Sequence, residues 1–99
     1  MYRVTTTFKM PRGTQRYYTV TPELKAKLES YKKAGKLQLV REVELDESNM
    51  ITARYINDWQ DKATFDEFNN WFETNYKANN DSYNTENNIT KIVETQEEI

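Results

Sequence analysis

The chain has 99 residues, a formal net charge of −2 and an apolar fraction of 36%, values that suit one domain and leave no room for two. It contains no histidine and no cysteine, which excludes thiol nucleophiles, disulfides, thiolate metal sites and the commonest general acid–base residue. The slight acidity disfavours nucleic acid as a partner, and no apolar run approaches the ~20 residues that span a bilayer, so we expect a cytoplasmic protein without a membrane partner.

The N-terminal part of the chain is predicted to form a strand followed by a helix. Apolar and polar residues alternate over the strand, whose apolar set is Tyr2, Val4, Phe8 and Met10, with Thr6 interrupting it. The helix is predicted from about Pro22 to Ala34, with Thr21 as its N-cap and Gly35 as its left-handed stop. Helical spacing assigns its buried stripe to Leu24, Leu28 and Tyr31.

The next two segments are predicted to form a β-hairpin. Apolar residues alternate along both, first Leu37, Leu39, Val43 and Leu45, then Ile51, Ala53, Tyr55 and Trp59. A three-residue loop that ends at Asn49 gives this residue the left-handed conformation that asparagine tolerates. The loop sets Leu45 opposite Ile51 and Glu42 opposite Arg54. A two-residue loop would set two arginines opposite each other, so cross-strand energies favour the first register.

A second helix is predicted after the hairpin, with Asp61 or Thr64 as its cap. Its buried stripe consists of Phe65, Phe68, Phe72 and Tyr76, with Trp71 at the edge. Residues 77–88 are polar and rich in asparagine, which predicts a long loop or a frayed helix end. A short last strand is predicted from Ile89 to Val93, followed by an acidic tail.

The predicted element order, β-α-β-β-α-β, is that of an α+β, ferredoxin-like domain, an antiparallel sheet with two helices on one face. This order, the hairpin that ends in Trp59 and the aromatic helix after it resemble the dimeric α/β-barrel superfamily, which includes antibiotic-biosynthesis monooxygenase-like proteins. The resemblance covers residues 1–99 as one domain and implies a homodimer with a ligand cleft between sheet and helices. Haem-degrading members ligate iron through histidine, so haem is not expected here, and no catalytic residue carries over.

The sheet face away from the helices independently indicates self-association. Val40 and Ile56 lie opposite each other at its centre in the predicted register, and charged or amide residues such as Glu42 and Arg54 surround them. An apolar core with a polar rim is typical of a protein interface. We therefore predict a homodimer through Val40, Ile56, Glu42 and Arg54, with a solvated sheet face as the alternative.

Arg41 is the candidate anchor for a ligand. Its odd-numbered position in the alternating strand places it on the helix-facing side of the sheet, opposite Tyr55. A buried guanidinium must be paired with a carboxylate or bind a ligand. The alternative is an internal carboxylate partner or a side chain that reaches solvent at the edge. Ala53 is the one small residue in a bulky layer and marks where a void is expected. The predicted ligand-binding residues are Leu39, Arg41, Ala53, Tyr55, Phe65, Phe68 and Trp71.

The predicted function is the binding of an apolar or aromatic small molecule that carries a carboxylate, such as a fatty or polyketide-like acid, without a cofactor or a metal. The alternatives are a cofactor-independent monooxygenase- or isomerase-type enzyme of the same fold, and a structural or interaction module without a ligand. A preformed cavity separates the first two from the third. Tyr17 and Tyr18, beside Arg12 and Arg16, offer a stacking surface, although a loop of this composition is more often simply exposed.

Overall fold

Four strands and four helices make up the chain in a computed structural model that describes residues 1–99. In chain order they are β1 (Tyr2–Pro11), α1 (Tyr17–Val20), α2 (Pro22–Lys33), β2 (Leu37–Leu45), β3 (Met50–Trp59), α3 (Lys62–Asn75), α4 (Lys77–Glu86) and β4 (Thr90–Glu98). The α+β class is confirmed. Two of the four helices, α1 and α4, were not predicted.

The strands form one antiparallel sheet in the order β2-β3-β1-β4. The first strand therefore lies inside the sheet, paired with β3 on one side and with β4 on the other. This open four-stranded sheet with its helices is compatible with a ferredoxin-like fold.

All four helices cover one face of the sheet. Strand alternation and the β1–β3 register turn the even residues of β1 and the odd residues of β3 towards the same side. One buried cluster on that side joins α2 and α3 to the sheet and contains Tyr2, Val4, Tyr31, Leu37 and Trp59. A second cluster contacts Tyr18 of α1 and Tyr83 of α4, and contains Phe8, Met10, Ile51, Ala53, Tyr55 and Ile89.

The predicted hairpin register is confirmed. Leu45 pairs with Ile51 and Glu42 with Arg54, and Asn49 has the positive φ, 65°, that the three-residue loop requires. Asp46 closes the turn, because its Oδ1 accepts hydrogen bonds from the backbone N–H groups of residues 48 and 50 at 3.0 and 2.9 Å.

The helices α2 and α3 begin close to where the sequence predicts. Pro22 is the first residue of α2, and Gly35 follows its end with a φ of 72°, although the Thr21 side chain makes no capping hydrogen bond. Asp61 rather than Thr64 caps α3, and its Oδ1 accepts from the Thr64 N–H at 2.8 Å. The Tyr31 hydroxyl donates to Glu67 at 2.6 Å and joins the two helices.

Residues 77–88, predicted as a long loop or a frayed helix end, form a separate helix, α4, over most of that segment. The Lys77 ammonium and the Asp81 carboxylate, one turn apart, are 2.9 Å from each other. The Tyr83 hydroxyl donates to the Gln15 carbonyl oxygen at 2.7 Å and ties α4 to the chain segment before α1. The last strand also extends beyond its predicted end at Val93, because β4 pairs with β1 as far as Glu98.

Candidate functional site

A cleft of about 440 Å³ lies between the helix-covered side of the sheet and the helices. All four strands contribute to it, and so do α2, α3, α4 and the segment around α1. Its sheet side is lined by Val4, Thr6, Phe8, Leu39, Tyr55, Asn57, Trp59, Lys91, Glu94 and Gln96. Its helix side is lined by Arg16, Tyr18, Leu24, Leu28, Phe65, Phe68, Asn69, Phe72, Glu73, Lys77, Asn80, Asp81 and Asn84.

One side of this cleft is aromatic. The Trp59 ring lies 5.8 Å from Phe65 and 5.2 Å from Phe68, measured between centroids, and Phe72 stacks on Phe68 at 6.2 Å. None of the α3 side chains is fully buried. Phe65 and Phe68 pack against the buried cluster that contains Trp59, and together with Phe72 they also line the cleft. The predicted aromatic stripe of α3 therefore forms a wall of the cleft.

The other side, built by α4 and β4, is polar. It presents side-chain amides from Asn80, Asn84 and Gln96. Its cations are paired within their own elements, Lys77 with Asp81 at 2.9 Å and Lys91 with Glu94 at 3.1 Å. The polar wall thus offers hydrogen-bonding groups and little free charge.

Arg16 is the unusual cation of the cleft. Its guanidinium carbon lies 3.5 Å from the centroid of the Phe8 ring and 5.1 Å from that of Tyr55, within the range of cation–π attraction. No Asp or Glu side chain lies within ion-pair distance of Arg16, and its polar neighbours are the hydroxyls of Tyr18, Tyr55 and Tyr83. Desolvation lowers the pKa of Arg16, an effect partly offset by Tyr55 and Tyr18.

The chain has four buried side-chain nitrogen or oxygen atoms without a hydrogen-bond partner, and all four belong to residues that line this cleft. They are Arg16 Nε, Trp59 Nε1, Asn57 Oδ1 and Asn84 Oδ1. A buried polar group left without a partner costs about 1–3 kcal/mol, so such atoms are rare in folded proteins. All four residues line one cleft, which makes this cleft the strongest candidate for a ligand site.

Four of the seven predicted ligand-binding residues line the cleft, namely Leu39, Tyr55, Phe65 and Phe68. Ala53 does not: it is 0% exposed in a closed part of the core, so the void expected there is absent. Trp71 lies outside the cleft, packed on Tyr76 at a centroid distance of 5.2 Å.

Arg41 also lies outside the cleft, although it is opposite Tyr55 as predicted. The expectation that it is buried is wrong, because β2 is an edge strand and the Arg41 side chain is exposed beside it. Its Nε donates to the Tyr55 hydroxyl at 3.3 Å, so the predicted pair exists at the rim.

The predicted interface residues lie on the uncovered face of the sheet. Val40 is 54% exposed and pairs with Ile56 across the hairpin. Beside them Arg54 Nη1 and Glu42 Oε2 form an exposed ion pair at 3.3 Å.

Sequence reasoning missed the four cleft residues whose buried polar atoms lack a partner: Arg16, Asn57, Trp59 and Asn84. A signal was present for two of them, since Asn57 and Trp59 continue the alternation that turns Tyr55 towards the helices. For Arg16 the sequence offers only its place beside Tyr17 and Tyr18 in the candidate stacking surface, and Asn84 lies in the segment predicted as a long loop or a frayed helix end.

A scan against models of known protein families, a search of curated proteins and a search of solved structures each gave no match to this chain. No helix is both long and apolar enough to cross a membrane. No cluster of three or more His, Cys, Asp or Glu side chains is arranged to hold a metal ion.

Proposed function

We propose that the protein binds an apolar or aromatic small molecule carrying one carboxylate, such as a fatty or polyketide-like acid, in the cleft between sheet and helices. The observation that carries this proposal is that all four unpartnered buried polar side-chain atoms belong to residues lining this cleft. A carboxylate supplies an acceptor to the two donors among them, Arg16 Nε and Trp59 Nε1, whereas the two amide oxygens require a hydroxyl or another donor on the ligand body.

The size and lining of the cleft support this class of ligand. Small-molecule sites usually have volumes of about 300–1,000 Å³ and mostly apolar walls with a few polar anchors. The cleft, at about 440 Å³, lies in this range. Its aromatic wall suits a flat or apolar body, and its amide wall suits oxygen atoms on that body.

The same proposal includes a ferredoxin-like homodimer in which two sheets face each other. Across the open face, Val40, Ile56, Thr5 and Thr95 are successive partners on the four strands. This uncharged row is flanked by two ion pairs, Arg3 with Asp58 and Arg54 with Glu42. An uncharged centre between charged flanks supports association of this face with a second copy.

Native mass spectrometry of the protein as purified tests ligand binding directly, because a copurified acid adds its mass to that of the chain. Thermal unfolding with a panel of aromatic and fatty acids is the second measurement. A ligand at 100 times its Kd adds about 2.7 kcal/mol, which raises the Tm of a domain of this size by about 10 °C or more. Absence of both a bound mass and any stabilisation would contradict the proposal.

A further inference from the structure

The charges of the cleft are balanced, but they are not all paired. Its lining contains three cations, Arg16, Lys77 and Lys91, and three carboxylates, Glu73, Asp81 and Glu94. Both lysines are in ion pairs with two of these carboxylates. Arg16 is thus the one cation of the lining without a carboxylate within ion-pair distance.

The structure also holds Arg16 in place on the cleft. Its guanidinium stacks on Phe8, and its Nε is buried without a partner. The preceding residue, Gln15, accepts the hydrogen bond from the Tyr83 hydroxyl, and Tyr17 packs against Tyr83 at a centroid distance of 5.5 Å. The residues on both sides of Arg16 therefore contact α4. These contacts reduce the conformational entropy that the Arg16 side chain loses when it binds an anion.

The planar shape of the Arg16 guanidinium favours a carboxylate over other anions. A guanidinium presents a planar fork of N–H groups that matches a carboxylate. A phosphate dianion is a poorer fit, because only one unpaired cation is present and three carboxylates share the lining. An exposed arginine such as Arg41 gains less from the same contact, since water screens it.

We infer that Arg16 is the anchor for the carboxylate of the ligand, with the ligand body lying against the aromatic wall formed by Phe65, Phe68 and Trp59. This inference rests on the ligand-binding function proposed above. It replaces Arg41 with Arg16 as the anchor and leaves Tyr55 beside it.

Two matched probes test the anchor on the full chain: 2-naphthoate, and 2-naphthalenemethanol as its neutral counterpart. Binding is followed by NMR titration of the ¹⁵N-labelled protein and its Arg16→Gln and Arg41→Gln variants. We expect the wild type to bind the acid at least about tenfold more tightly than the alcohol, as a charge-assisted hydrogen bond gives. Arg16→Gln weakens binding of the acid more than binding of the alcohol and so removes this preference, whereas Arg41→Gln retains it.

A second readout needs no variant and decides the question if Arg16→Gln fails to fold. The Arg16 Nε–H resonance is expected to shift with naphthoate and not with the alcohol. Loss of the preference in Arg41→Gln alone would overturn the inference in favour of Arg41. Equal affinities of the two probes in the wild type would overturn the anchor but not the binding function. If neither probe shifts the amides of residues lining the cleft, the binding function itself is contradicted.

Discussion

At the scale of single residues, the ion pair between Arg3 and Asp58 makes the stability of the fold depend on pH. The guanidinium donates from Nε to Oδ1 at 2.7 Å and from Nη2 to Oδ2 at 2.9 Å. This hydrogen bonding lowers the pKa of Asp58, against a smaller opposing effect of desolvation. Because the folded-state pKa lies below the unfolded one, the pair stabilises the fold above the unfolded value and loses this effect as the pH falls through the folded value.

We therefore expect Asp58→Asn to lower the free energy of unfolding at pH 7. The difference from the wild type should shrink below about pH 4 and close at lower pH, once Asp58 is protonated in the folded state as well. Urea unfolding between pH 7 and pH 2 measures it. Asp66→Asn, in the exposed pair with Lys62 on α3, is the control and should change stability little. A constant difference over this pH range would contradict the assignment.

The closed packing around Ala53 gives a second prediction. Ala53 is fully buried among Phe8 and Tyr55 and does not line the cleft. Ala53→Leu should therefore overpack the core and cost about 1–3 kcal/mol in the free energy of unfolding. Leu39→Met, a similar volume at the cleft, is the control, with a cost below about 1.5 kcal/mol. A stable Ala53→Leu protein would mean that a void exists there after all.

Part of the candidate site was predictable from sequence, and the reason lies in strand alternation. The period of two correctly turned Leu39 and Tyr55 towards the helices. The same rule places Arg41 on that side, but it does not tell which strand lies at the edge of the sheet. The prediction that Arg41 is buried is therefore wrong, because β2 is the edge strand. Arg16 lies outside any periodic segment, and only the tertiary contact with Phe8 brings it to the cleft.

At the scale of elements, the hairpin shows what local sequence determines. Its register follows from alternating residues close in sequence and from one asparagine in the left-handed conformation. The helix α4 shows the opposite case: asparagine is a poor helix former, and no side chain of this helix is fully buried. Its contact with Gln15 joins residues 68 positions apart, which no local pattern reveals. For β4 the sequence predicts only the part up to Val93, because the residues after it are polar and all nine residues of the strand are exposed.

The hairpin supports a prediction at this scale. Asn49 has a φ of 65°, a conformation that costs most L-residues about 1–2 kcal/mol and glycine almost nothing. Asn49→Gly should leave the free energy of unfolding nearly unchanged, and Asn49→Val should lower it by about 1–2 kcal/mol. Chemical denaturation of the two variants measures this. Equal stability of both would show that the loop adopts another geometry in solution.

At the scale of the whole molecule, the proposed dimer depends on the uncovered sheet face. Light scattering at micromolar concentration should give twice the chain mass of 11.9 kDa. Ile56→Lys should shift the mass towards the monomer, because it puts like charges into the centre of the interface. Gln38→Lys is the control. Gln38 is exposed on the same face, but it is the second residue of β2 and lies away from the centre, so this change should leave the dimer intact. A concentration-independent mass of one chain in the wild type would contradict the proposal.

The central position of β1 has a consequence for the order in which the protein folds. The hairpin partners Leu45 and Ile51 are six positions apart, whereas Tyr2 of β1 pairs with Glu98 of β4 at the other end of the chain. Loop closure is slower and entropically more costly for distant partners. We therefore expect the β2–β3 hairpin to form early and β4 to dock last. During synthesis on the ribosome, β1 emerges before both of its partner strands, so one of its edges stays unpaired until β4 has left the exit tunnel.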